Sequence, residues 1–165
     1  MQLTKFCNNQ NFTGGKKIQI QNYQFKKIIS FVAIIKHRIK MKKIAILGSG
    51  LSATSLINYL LKKSEEYGWE IKVASNNFEE ATEKINNHPN GEAVKFNINN
   101  KDEVSSLISW CDVAVSLVPA RFHPIVGKEC VKRSKHMLTA SYVSEEIAAL
   151  DKEAKEKGIV ILNEL

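Results

Sequence analysis

Six residues near the start of the second quarter of the chain, Gly48-Ser49-Gly50-Leu51-Ser52-Ala53, form a G-x-G-x-x-A run. Each type has a physical task. Gly48 allows a tight turn, and Gly50 lets a ligand come close to bare backbone. Ala53, small in place of a third glycine, lets a helix pack closely on a strand. The N–H groups that open such a helix face outward, and its dipole favours an anion there. The chemistry is therefore the holding of a pyrophosphate, as in a dinucleotide. Such a ligand also carries a ribose, and the end of the second strand selects it. Ser75, Asn76 and Asn77 fall there. No carboxylate repels a 2′-phosphate and no arginine attracts one, which leans toward NADP and leaves NAD open.

The context the glycine run requires is a strand before it and a helix after it, in a β-α-β unit of about thirty residues. Lys43 to Leu47 is a short β-branched run ending in glycine, and Leu51 to Lys63 has a helical stripe at Leu56, Ile57, Leu60 and Leu61. Glu70 to Ser75 reads as a second strand, Phe78 to Asn86 as a polar helix, and Ala93 to Ile98 as a third strand. Asn87-His88-Pro89-Asn90-Gly91 is a strong stop between the last two. Lys101 to Trp110 is a helix whose Asp102 and Glu103 suit its first turn. Asp112 to Val118 is an apolar strand of the kind covered on both faces.

Pro124 to Arg133 is a helix with proline in its first turn, and His136 to Ala140 a fifth strand. Ser144 to Lys157 is a helix capped by Ser144 and ended by Gly158, and Ile159 to Asn163 is a sixth strand. The alternation predicts an α/β fold: a Rossmann-type doubly wound parallel sheet of about six strands with helices on both faces.

The net charge of +7 suggests nucleic acid until its distribution is read. Residues 1–40 hold eight Lys/Arg and no acid; the remainder has sixteen basic and seventeen acidic residues. The globular part is near neutral, so no nucleic-acid groove is expected. Residues 1–40 read as a basic, disordered N-terminal extension, and residues 41–165 as the NAD(P)-binding domain. The one apolar run of the extension, Ile28 to Ile35, is eight residues, against about twenty for a bilayer span, so no membrane is expected. Absence of acids fits a mitochondrial presequence, but Arg38 is the sole arginine there and serine is scarce. A cytoplasmic protein is expected, with a mitochondrial one as the alternative.

Cys7, Cys111 and Cys130 lack C-x-x-C spacing, and His37, His88, His123 and His136 lack i, i+4 pairing, so no metal is expected. Cys111 and Cys130 read as small buried hydrophobes. His123, beside Pro124, reads as a residue that opens a helix, and Arg121 as a solvated loop charge.

Several segments together resemble the saccharopine dehydrogenase family, in its glutamate-forming branch. They are KKIAILGSG (42–50), VAS (73–75), DVAVSLVP (112–119), FHP (122–124), LTASYVS (138–144) and GIVILNEL (158–165), in the family's order, over about three quarters of the chain. The resemblance implies an NAD(P)-dependent oxidoreductase of lysine metabolism. Such an enzyme transfers a hydride between NAD(P) and the imine or secondary amine of saccharopine, which joins aminoadipate semialdehyde and glutamate. Carried over by position, Gly48, Ser49, Gly50, Leu51, Ser52 and Ala53 hold the pyrophosphate, and Ser75 and Asn76 the adenosine ribose. Leu117 lies along the cofactor, Ala140 and Ser141 meet its nicotinamide end, and Ser141 and Tyr142 reach the amino-acid substrate. No general acid or base is assigned.

Two departures stand out: Asn76 where relatives have a charged residue, and Ala120-Arg121 in place of a pair that often includes an aromatic. The family continues past the NEL segment into a substrate domain. That domain is expected to be missing here, leaving this chain alone inactive; a homodimer is open for the full-length enzyme. Two rivals remain. One is a stand-alone NAD(P)-binding sensor or regulatory module. The other is a short-chain or semialdehyde-type dehydrogenase, disfavoured because no Tyr-x-x-x-Lys follows the fourth strand and Cys130 sits within a helix.

Overall fold

The fold is taken from a computed structural model that describes residues 42–163. The extension expected at residues 1–40, with Cys7 and His37, lies outside the described residues.

The first strand, β1 (Lys42–Leu47), sets the architecture by alternation. Ala45 and Leu47 point to one core, and Ile44 and Ile46 to another. A strand apolar on both faces must be covered on both, which is the condition of a parallel sheet. Five partners join it: β2 (Trp69–Ser75), β3 (Gly91–Lys95), β4 (Val113–Ser116), β5 (His136–Thr139) and β6 (Ile161–Leu162). All pairings are parallel, in the order β3-β2-β1-β4-β5-β6. The order reverses between β1 and β4, so the crevice of a doubly wound sheet opens there.

Helices α1 (Thr54–Tyr67) and α2 (Phe78–Ile85) cover one face through Ile57, Leu61, Ala81 and Ile85. On the other face lie α3 (Lys101–Trp110) and α4 (His123–Lys132), with Val104, Leu107, Ile108, Val126 and Cys130. Short helices α5 (Glu145–Ala148) and α6 (Asp151–Glu156) complete the chain, and Ala154 of α6 packs with Val131 and Ile159.

The expected elements are all present, with four changes of extent. The helix expected to begin at Leu51 begins with a 3₁₀ turn, Leu51–Ala53, before α1. The third strand, expected at Ala93 to Ile98, lies at Gly91–Lys95 because Ile71 pairs with Gly91. A Cβ there would come within 2.8 Å of Ile85 and Leu61 side chains, so the stop segment's own glycine is the residue that fits under α1 and α2. The helix expected over Ser144 to Lys157 is two helices. Ser144 caps the first, accepting from the Ile147 N–H at 3.3 Å, and the Leu150 N–H then bonds to Ile147 at i−3, which tightens and ends that helix. The fourth and sixth strands are shorter than read, since β4 and β6 extend only as far as they find partners.

The turn after β1 rests on one residue. Gly48 has φ +108°, and a Cβ built on it would lie 2.8 Å from the Leu117 carbonyl oxygen. Both the backbone conformation and the space exclude a side chain. Gly48→Ala is expected to destabilise the domain by about 2–4 kcal/mol, from left-side backbone strain plus a backbone collision. Urea unfolding followed by circular dichroism measures it.

Candidate functional site

The register of β1 aligns Leu47 with Ala74 of β2 and with Ser116 of β4. The loops that follow these three strands therefore leave the sheet together. Between them lies a cavity of about 490 Å³, lined by the glycine loop, the end of β2, the segment after β3 and the loop after β4. Its size is in the range of small-ligand sites.

Gly48, Ser49, Gly50, Ser75, Asn76 and Leu117 all line this cavity. The Gly48 N–H donates to the Ala74 carbonyl at 2.8 Å, which ties the loop to β2. The 3₁₀ turn makes its first internal bond from the Ala53 N–H to the Gly50 carbonyl, 2.9 Å. The N–H groups of Gly50, Leu51 and Ser52 precede it and have no acceptor within the turn. Nothing lies within 4 Å of where a Gly50 Cβ would stand, so the backbone is open to approach at Gly50. Ala53 is buried beneath the loop, Ser52 is exposed, and Leu51 is 93% exposed at the rim. This geometry fits a pyrophosphate held by backbone donors rather than by side-chain charge.

Ser49 is 2% exposed and its role is internal. Its Oγ is 2.8 Å from Ser75 Oγ and donates to Glu80 Oε2 at 3.1 Å. Ser75 Oγ in turn accepts the Asn77 N–H at 3.1 Å. Asn77 caps α2 by accepting the Glu80 N–H at 3.2 Å. Lys84 Nζ pairs with Glu80 Oε1 at 2.7 Å and donates to the carbonyl oxygens of Gly50, at 3.0 Å, and of Ser49. The Lys84 ammonium holds the Glu80 carboxyl below the usual carboxylate range. Sequence reading found neither Glu80 nor Lys84. Their i, i+4 spacing on a polar helix resembles any surface ion pair, and only the fold brings them to the loop.

Ala140, Ser141 and Tyr142 follow β5 and lie outside the cavity lining; Ala140 is exposed, Ser141 half-buried and Tyr142 85% exposed. A second polar cluster connects them to β4. His123, which opens α4, is only 4% exposed. Its Nδ1 lies 2.8 Å from Ser116 Oγ, and its Nε2 lies 2.8 Å from Ser141 Oγ and 3.1 Å from Thr139 Oγ1. A histidine that opens a helix thus also joins β4, β5 and the loop bearing Ser141. Arg121 lines the cavity, with its guanidinium 4.5 Å from the Phe122 ring centre. Phe96, Asn97, Ile98 and Asn99 form the wall on the β3 side, which no sequence motif marks.

Burial raises the Cys111 thiol to about 11, and raises the Cys130 thiol as well. Both behave as buried hydrophobes rather than nucleophiles. Among the described residues no three His, Cys, Asp or Glu side chains converge on a metal-sized cluster.

Burial lowers the His123 pKa below its ordinary value, so the imidazole is neutral in the folded protein. In the unfolded chain it protonates near 6.5. The unfolded state therefore takes up the proton first, and this group's contribution to stability is full above pH ~6.5 and declines as pH falls below it. The thermal midpoint is expected to fall below that pH, and His123→Gln to show a weaker dependence over the same range. A pH series of melting curves on both proteins checks it.

Comparison with known proteins accords with this geometry. A family model described as "Saccharopine dehydrogenase NADP binding domain" matches residues 44–162. The chain is 33% identical over 125 residues to "Saccharopine dehydrogenase [NADP(+), L-glutamate-forming]" of Schizosaccharomyces pombe, covering 76% of this chain and 27% of that protein. It is 34% identical over 128 residues to the mitochondrial alpha-aminoadipic semialdehyde synthase of Bos taurus, covering 75% of this chain and 13% of that protein. Among solved structures, apo saccharopine dehydrogenase (L-Glu forming) of Saccharomyces cerevisiae aligns with TM-score 0.68 at 26% identity, over 75% of this chain and 27% of that one. The chain thus spans about a quarter, or less, of the length of these relatives. Residues 44–162 span most of the chain, the glycine loop and the crevice included; the chain belongs to the saccharopine dehydrogenase NADP-binding domain family.

Proposed function

We propose that residues 41–165 are the cofactor-holding domain of an oxidoreductase of lysine metabolism that forms or cleaves the C–N bond of saccharopine. The observation that carries this is the glycine loop, tied to β2 by Gly48 and open at Gly50, lining a crevice in a chain of this family. NADP supplies the hydride acceptor or donor when bound. The chain's residues supply its position: Gly50, Leu51 and Ser52 receive the pyrophosphate through backbone N–H groups, and Asn76, exposed at the end of β2, faces the adenosine ribose. Leu117 forms an apolar wall along the cofactor, and Ser141, steadied by His123, meets the nicotinamide end. Ser141 and Tyr142 reach the amino-acid substrate. Orientation of the two reactants is the protein's main contribution to such a hydride transfer.

The same reading covers the rest of the enzyme. The substrate's carboxylates are bound by a further domain, as the share of the relatives' length spanned here suggests. The full-length protein acts on small amino-acid substrates. It is cytoplasmic, with a mitochondrial address as the alternative that the bovine relative's name raises. Among the described residues no helix is long and apolar enough to cross a membrane.

The 165-residue chain is expected to bind NADPH and to show no turnover with saccharopine and NADP. Isothermal calorimetry and a steady-state assay at 340 nm on the same preparation test both halves. Measurable turnover by this chain would overturn the division of labour. Gly50→Val is expected to abolish NADPH binding and keep the fold, because its side chain would enter the open space in front of the loop.

Asn76 governs the ribose. A carboxylate about 5 Å from a 2′-phosphate is worth about 3 kcal/mol per charge pair at an effective dielectric near 20. Screening trims this to about a tenfold change in affinity ratio. Asn76→Asp is expected to shift the NADPH:NADH preference toward NADH by that factor, and Asn76→Arg to shift it the other way. If neither moves the ratio by more than about twofold, Asn76 does not face the ribose.

A further inference from the structure

We infer that Lys84 is the positioning residue of the phosphate loop, a cation on α2 that turns the loop's carbonyls inward so that its N–H groups face the ligand. In a trans peptide the C=O and the N–H of the same unit point in opposite directions. The Ser49 carbonyl shares its peptide with the Gly50 N–H, and the Gly50 carbonyl shares its peptide with the Leu51 N–H. Both carbonyl oxygens are held by one ammonium, Lys84 Nζ. Holding them there directs the Gly50 and Leu51 N–H groups away from Lys84, and nothing lies within 4 Å of a Gly50 Cβ position to hinder a ligand's approach.

The ammonium is itself fixed. Glu80 Oε1 accepts from it at 2.7 Å, and Glu80 Oε2 accepts from Ser49 Oγ, so the pair is tied to the loop at two points. Ala81 and Ile85, buried on the same helix, anchor α2 against the sheet. The Lys84 side chain is 13% exposed, unlike an ordinary surface lysine. Among the described residues it is the only cation hydrogen-bonded to the loop. Its charge lies on the far side of the loop from the anion and adds to the attraction of the N–H groups without touching the ligand. A surface ion pair at i, i+4 would stabilise α2 and leave binding unaffected; Lys84 does more because its partners include the loop backbone. The inference rests on the dinucleotide reading of the loop.

The experiment is calorimetry at 10 °C on the 165-residue chain with NADPH and with NADH, for the parent protein, Lys84→Met, Lys84→Gln and Lys84→Arg. Amide chemical shifts of Gly50 and Leu51 in the ¹⁵N-labelled proteins are measured in the absence of ligand. Lys84→Met and Lys84→Gln are expected to weaken both dinucleotides by at least about tenfold at an unchanged NADPH:NADH ratio, and to move the two amide resonances. Lys84→Arg is expected to recover most of the affinity. A folded Lys84→Met that binds within twofold of the parent overturns the inference. So does a loss confined to NADPH, which would make Lys84 a 2′-phosphate ligand instead. If Lys84→Met fails to fold, Lys84→Gln carries the same two outcomes. A parent chain that binds neither dinucleotide overturns the functional reading itself, and this inference with it.

Discussion

The structure depends on a close approach of backbone to backbone at the top of the sheet. β1 ends where Gly48 turns with positive φ, within 2.8 Å (Cβ position to oxygen) of the Leu117 carbonyl. From that turn two hydrogen bonds reach the neighbouring strands: Gly48 N–H to Ala74, and Leu117 N–H to Leu47. They lock the ends of β2, β1 and β4 together. The loops that bear Gly50, Asn76 and Leu117 then have no choice but to surround one crevice. A side chain at Gly48 would separate those strands and disperse the site.

On that frame, the site is built mainly from backbone groups and buried hydroxyls. Ser49, Ser75, Ser116 and Thr139 are all buried, and each is hydrogen-bonded to another polar side chain. Two charged or titratable side chains organise them from opposite sides of the sheet. Lys84 fixes the glycine loop from α2, and His123 fixes the Ser141 loop from α4. Buried polar networks of this kind set geometry because every member has a partner and few alternative arrangements satisfy them all. The near neutrality of the globular part fits the proposal that oriented backbone dipoles, not a basic surface, meet the ligand's charge.

The elements were legible in the sequence because alternation and helical stripes report burial directly. β1 reads as a strand in KKIAIL, and α3 reads correctly end to end, Lys101–Trp110. Strand ends were less legible, because β4 and β6 stop where their neighbours stop, which depends on register. The break between α5 and α6 was hidden for a similar reason. Leu150 bonds at i−3 while packing beside Val131, and nothing local in EEIAALDKEAKEK marks it. The glycine loop was legible because its glycines answer to local backbone needs. Glu80, Lys84 and the Ser116–His123–Ser141 bridge were not. The partners that tie them to the loops and strands lie 7 to 35 residues away, and no local pattern encodes such a pairing.

The central claim is that Gly50 and Leu51 present their N–H groups to the pyrophosphate of a bound NADP. The direct measurement is a titration of the ¹⁵N-labelled chain with NADPH, followed by amide chemical shifts. The account predicts saturable shifts largest at Gly50, Leu51 and Ser52, with smaller ones at Asn76. Saturable binding that leaves those loop amides in place would contradict it, as would an unperturbed spectrum at millimolar NADPH.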